Sequence, residues 1–304
     1  MDRPVEIVDA AYQIHYCSQY NPIALRVNSG ASVIFQCKDT YNDLLVDESC
    51  LFTKTHMGIP QNPLNGPVYV NGAMPGDTMK ITIEEIAVTS KYATMVVNDK
   101  LVYKAFLPYV TDEQTILLPI SEDGKTADVF GNRVVLNPFP GCLSLAPKER
   151  VNTMYPGSHG GNMDCKKLVK GSVFYVPVQV EGGLVATGDI HAYQGDGEIV
   201  CGLEVAGRVQ LKLEVIKNSC EKWPVLETED RWYVVASCAS IEESCFEAVG
   251  TMQSFLLKRC SRYNPHELMV LLSQFADLEI CQIVDPLVTV RFGVEKRVVD
   301  EVCF

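Results

Sequence analysis

The chain has 304 residues, 47% hydrophobic and 21% charged, so it is long enough to bury a sizeable core and too apolar to be disordered. Its 26 Lys and Arg stand against 38 Asp and Glu, and the net charge of −12 repels a phosphate backbone or an anionic bilayer, which argues against nucleic acid or membrane as partner. The opening residues, Met1 to Glu6, lack the basic start and apolar run of an export signal, and no stretch approaches the roughly 20 apolar residues of a membrane span, so a cytoplasmic setting is expected.

Up to about residue 235 the periodicity is that of strands. Segments 67–70, 80–86, 133–136 and 172–180 are predicted strands, separated by punctuation such as Gly72-Ala73-Met74-Pro75-Gly76-Asp77, Asp123-Gly124 and Glu181-Gly182-Gly183. Segment 208–216 alternates fully: Val209, Leu211, Leu213 and Val215 fall on one face, Arg208, Gln210, Lys212 and Glu214 on the other. Beyond 235 the spacing turns helical. Ser240 and Glu243 form a capping-box pattern, and Ile241, Cys245, Phe246, Val249, Met252, Phe255 and Leu256 define an apolar stripe over 241–260. Asn264-Pro265-His266-Glu267 opens a second helix, with Leu268, Leu271, Leu272 and Phe275 on its apolar face. Segment 280–290 reads as a strand interrupted at Asp285-Pro286. The expected fold is mostly β, a β-sandwich or barrel body with an α+β C-terminal region. Its expected divisions are an N-terminal β-rich domain (1–135), a β-rich segment carrying the site loops (136–235) and the α+β region (236–304).

The twelve cysteines include no C-x-x-C pair and no zinc-finger spacing, and several sit in apolar runs, so reduced structural thiols are expected. The chemistry concentrates between 155 and 202. Pro156 to Asp164 carries His159, Asn162 and Asp164 among three glycines, which let backbone approach a ligand closely. In Gly188 to Glu198, an extended backbone would put Asp189 and His191 on one face, and Asp196 and Glu198 likewise. Imidazole and carboxylates gathered in this way suit a divalent ion with an open position for water, while a spare carboxylate moves protons.

Three long segments in order carry a resemblance to the acetamidase/formamidase family: Asn62 to Thr78 (NPLNGPVYVNGAMPGDT), Pro156 to Asp164 (PGSHGGNMD) and Gly188 to Glu198 (GDIHAYQGDGE). With the stretches around Glu227 and Asp277 to Pro286, the similarity runs from about residue 30 to 292. The resemblance implies a mostly β, homo-oligomeric enzyme, a dimer or higher, that hydrolyses short aliphatic amides to a carboxylate and ammonia, with a divalent ion such as zinc or calcium near the loops. Carried over by motif, His159, Asp164, Asp189 and His191 are assigned to the metal, Glu198 to proton transfer with Asp196 as a further catalytic candidate, and Asn162 to the amide carbonyl. Asp39 is a secondary candidate whose alternative role is a turn residue. Departures at Asn65, Cys142, Ser144 and Lys148-Glu149 would alter specificity if the 138–147 segment borders the substrate pocket. Two other readings are open. One is a cysteine hydrolase with Cys165 or Cys142 as nucleophile and His159 or His191 as base. The other is a non-catalytic metal-binding homologue.

Overall fold

The structure, a computed structural model, describes residues 5–299 and Val302; residues 1–4 and Cys303, which entered the sequence reading, lie outside it. The fold is mostly β, with two nine-stranded sheets and two longer helices near the C-terminus. The first sheet runs in the order Glu6–Val8, Ala31–Cys37, Gly207–Ile216, Thr78–Val88, Val173–Pro177, Val225–Glu227, Arg231–Cys238, Val288–Glu295 and Ala276–Gln282. It therefore draws strands from residues 1–135, 136–235 and 236–304 alike. The second sheet centres on Val185–His191, flanked by Phe139–Ser144 on one side and by Leu64–Asn71 and then Glu204–Val205 on the other.

The alternating segment 208–216 explains why the sheets stack. Val209, Leu211 and Leu213 are buried and join Phe35, Ile81 and Ile83 of their own sheet and Val68, Leu143, Val185 and Val205 of the other in one core. Burial of this apolar surface, at about 25 cal/mol per Å², drives the sandwich. The opposite face of the first sheet is covered by the helices Ile241–Arg259 and Pro265–Phe275. Strand Arg231–Cys238 consequently has two buried faces: Tyr233 and Val235 enter the inter-sheet core, while Trp232, Val234 and Ala236 meet Met252, Phe255 and Leu268 in a second core.

Both helices start at the capping residues expected. Ser240 accepts a hydrogen bond from the Glu243 backbone at 3.1 Å, and Asn264 with Glu267 forms the full two-way box. The buried face of the first helix differs from its hydrophobic stripe. Ser244, Ala248, Thr251, Met252, Phe255 and Leu256 face inward, whereas Phe246 is 77% exposed. The 280–290 segment is also rearranged: it is the turn of a hairpin, Ala276–Gln282 pairing antiparallel with Val288–Glu295, and Asp285-Pro286 sits in the connection. Among the described residues no helix is long and apolar enough to cross a membrane.

Candidate active site

Strand Val185–His191 supplies the centre of the site. One edge pairs Gly188 with Leu64, and beyond that the edge is taken by Ile190 with Val205 and His191 with Glu204. Asp189 lies at this change of neighbour and has a left-handed backbone, φ 56°, a conformation that Asp and Asn adopt more readily than other side-chain-bearing residues. Asp164 (φ 49°) and Asn62 (φ 57°) share it. Asp189 and His191 do converge as expected from the motif, but through this kink rather than through regular alternation.

His191 is buried amid carboxylates. Its Nε2 lies 3.0 Å from Glu204, 3.7 Å from Asp189 and 3.8 Å from Asp164. Its Nδ1 lies 2.6 Å from the Gln194 side-chain carbonyl, and the Gln194 amide in turn donates to the backbone carbonyls of Asp164 (3.2 Å) and Cys281 (3.4 Å). That orientation of Gln194 fixes the Nδ1 proton and turns the Nε2 toward the acids. Space for the cluster comes from missing side chains. A Cβ on Gly141 would lie 2.4 Å from Asp164 Oδ1 and 2.8 Å from Asp189 Oδ2, and one on Gly202 would lie 2.4 Å from the His191 ring.

A second network closes the other wall. Thr40 donates to Asn62 Oδ1 at 2.8 Å, Asn62 donates to Asn162 Oδ1 at 2.7 Å, and Asn162 donates to Asp285 Oδ2 at 2.7 Å. Asp285, from the C-terminal hairpin, lies beside Asp164 and Glu198 in the same cleft wall. These groups line a cleft of about 380 Å³.

Crowding sets the protonation of the cluster. Burial, with the neighbouring acids, raises the carboxyls of Asp164 and Asp285 well above the usual range, and burial raises Glu204 too; it pushes Glu198 up to about 6. For Asp189 burial also opposes charge, but His191 with Thr40 and Asn62 outweighs it and holds this carboxyl low. Burial likewise works against a charged His191, yet Glu204 and Asp189 raise its pKa well above the ordinary imidazole value.

Not every expected residue reaches the cluster. Asp196 and Glu198 diverge, because the backbone turns at Gly197 (φ 91°) instead of running extended. Asp196 pairs with Arg291 at 2.7 Å and Lys166 at 2.8 Å, while Glu198 turns into the cleft. His159 packs against Gly157 and Gly161, outside both groups of potential ligand atoms that lie within 4.8 Å of one another. Asp39 serves its turn, accepting from the backbone of Tyr41 (2.9 Å) and Asp43 (2.7 Å). Cys142 and Ser144 are buried against Cys17 and do not line the cleft, and the 138–147 segment borders the site through Gly141 and through Phe139, whose ring meets that of His191 edge-on at 5.2 Å. Cys165, whose thiol is drawn down to about 7 by its hydrogen bond with Cys281 and by Arg291, is buried and also absent from the cleft wall. Neither proposed nucleophilic cysteine is placed to attack a ligand there.

Sequence reasoning missed Thr40, Asn62, Gln194, Glu204 and Asp285 as site residues. Glu204 left one signal, a lone acid between Leu203 and Val205, both buried. Asp285 was legible only as a turn.

Among the described residues two overlapping groups offer ligand atoms for a cation: Asp164, Asp189 and His191, and His191, Glu198 and Glu204. The fit is chemically sound. Asp164 Oδ1, Glu198 Oε2 and Glu204 Oε2 are buried without a conventional hydrogen-bond partner, a costly arrangement that a cation or proton relieves. Imidazole and carboxylate are hydrolytic-metal ligands.

Fold and site together define a β-sandwich protein with a histidine-centred carboxylate cluster on the floor of a cleft. A family model described as the Acetamidase/Formamidase family matches residues 143–229. The chain is similar to the acetamidase of Bacillus halodurans, with 34% identity and a TM-score of 0.92, covering 98% of this chain and 100% of that one. It is also similar to an acetamidase/formamidase predicted from Thermoanaerobacter tengcongensis, with 30% identity, a TM-score of 0.89 and 97% of each chain covered. The formamidase of Methylophilus methylotrophus is 45% identical over 82 residues, which are 26% of this chain and 20% of that protein, so the match spans about a fifth of that relative's length. The chain belongs to the acetamidase/formamidase family.

Proposed function

We propose that the protein hydrolyses small amides to a carboxylate and ammonia, with Glu198 as the group that moves protons. The observation that carries this reading is the cleft floor: a single imidazole among buried carboxylates, one of which, Glu198, has its pKa raised to about 6 and faces the cleft. The family relatives' names support the substrate class.

A divalent ion held by Asp164, Asp189, His191 and Glu204 would lower the pKa of a bound water and polarise an amide carbonyl. The chain's own groups do the rest. Gln194 holds His191 in one tautomer and orientation. Asn162 has committed one amide hydrogen to Asp285 and keeps a second for the substrate carbonyl. Glu198, raised to about 6 and so mostly ionised at neutrality, takes a proton from water and returns it to the departing nitrogen. Asp285 and Asn62 keep Asn162 in register with this motion.

The test is ammonia release by the purified protein before and after exhaustive chelation and metal add-back, together with Glu198→Gln. The expected result is loss on chelation, recovery on add-back, and a drop of about 10²- to 10⁴-fold in kcat for the variant, the usual weight of a positioned acid or base. A variant as active as the parent removes Glu198 from the chemistry.

A further inference from the structure

The cleft gathers its carboxylates at its floor. Above Asp164, Asp189, Glu198 and Glu204, which are all buried, the wall is more open and carries an apolar arc: Leu101, Met154, Val200 and Val284 are half-buried and Pro286 is exposed, while half-buried Gln61 and exposed Lys100 add polar groups to the same wall. These residues come from four separate parts of the chain. The 101 and 200 loops are tied by the Tyr103 amide donating to the Ile199 carbonyl at 2.8 Å, Met154 follows the Val151–Asn152 strand, and Val284 and Pro286 flank Asp285 in the hairpin connection. Together they make an apolar collar over an acceptor-rich floor.

Its size does not match the smallest amides. Acetamide has four non-hydrogen atoms, and at about 30 Å³ each, the share of a water molecule in the liquid, it takes roughly 120 Å³. The cleft, which is partly open to solvent, offers about 380 Å³. An amide group engaged at Glu198 and Asn162 with only one or two carbons attached would leave the collar facing water.

We infer that the preferred substrates are primary amides with a longer apolar acyl group, on the order of four to seven carbons or an aromatic ring, whose hydrocarbon part lies against Leu101, Met154, Val200 and Val284. This rests on the amide-hydrolase reading and adds the substrate class. The floor selects the amide, while the collar selects what it carries. Burying each added methylene is worth about 0.8 kcal/mol, so kcat/KM should rise roughly fourfold per methylene until the collar is filled.

The experiment is a series of linear amides from formamide to octanamide, with benzamide, scored as kcat/KM for ammonia release by the intact protein and by Val200→Trp and Met154→Trp. In parallel, binding of the same series to the Glu198→Gln variant is followed by calorimetry. Expected is a rise to an optimum beyond butanamide, with the bulky variants moving that optimum to shorter chains. Activity greatest on formamide or acetamide, with no gain along the series, overturns the inference and leaves the amidase reading intact. If no amide is turned over, the amidase reading falls and calorimetry decides the collar: tightening with chain length supports it, and uniform or absent binding overturns it.

Discussion

His159 shows how a residue in the middle of a site motif acts through its surroundings. It is buried against two glycines, and burial alone brings its imidazole down to about 4 from 6.5. The unfolded chain therefore binds a proton that the folded protein does not accept between these values. Stability from this residue is fully present above pH 6.5, declines as pH falls, and stops declining below about 4. The total is about 3 kcal/mol, because each tenfold loss of proton affinity on folding is worth about 1.4 kcal/mol. Urea titrations of the parent and of His159→Phe between pH 7 and 4 check this. The parent should lose stability more steeply with acid, and identical pH profiles would sink the assignment.

At the scale of elements, caps and periods were the most legible features and their environments the least. Asn264 receives the backbone N–H groups of His266 (2.9 Å) and Glu267 (3.1 Å), while the Glu267 carboxylate returns to the Asn264 amide at 2.9 Å. Asn264→Ala should cost about 1 kcal/mol, read as a lower urea midpoint at unchanged slope. All of this could be read from four letters, because a cap is a local interaction. The inward face of the first helix could not, because what decides it is the strand surface it meets, and that surface lies elsewhere in the sequence. The same limit applies to the cleft. His191, Asp189, Asp164 and Glu198 were found because they stand within two short motifs dense in polar residues and glycine, Asp189 and His191 at the end of a strand and the other two in loops. Glu204 reaches them only through strand pairing, Asp285 only through a hairpin, and Asn62 only across a gap of 100 residues to Asn162. Asp196 was misplaced by the opposite error: an extended backbone was assumed where Gly197 makes a turn.

For the molecule as a whole, the two apolar cores share a wall in which the strand Arg231–Cys238 is flanked by Val225–Glu227 and, beyond it, Val173–Pro177, each sending side chains into both cores. Neither core can lose that wall and stay closed, so unfolding should be a single cooperative event despite the chain's length. Phe255→Ala, a truncation confined to the helical side, is expected to cost about 3–5 kcal/mol. It should lower the melting temperature of the whole protein, with tryptophan fluorescence and backbone circular dichroism giving one coincident transition. Two separated transitions would mean that the layers fold independently.

The shared strand also bears on time. Its neighbours Val225–Glu227 and Val288–Glu295 occupy both hydrogen-bonding edges from Trp232 to Val234, and its two faces are roofed by a sheet and by helices. Solvent thus has no direction of local approach to its central amides, and their hydrogens can be traded with water only when the entire protein opens. Val235 stands opposite Arg291, the buried cation that anchors Asp196 beside the cleft. The slowest clock in the molecule is therefore set one hydrogen-bonded strand away from its chemistry.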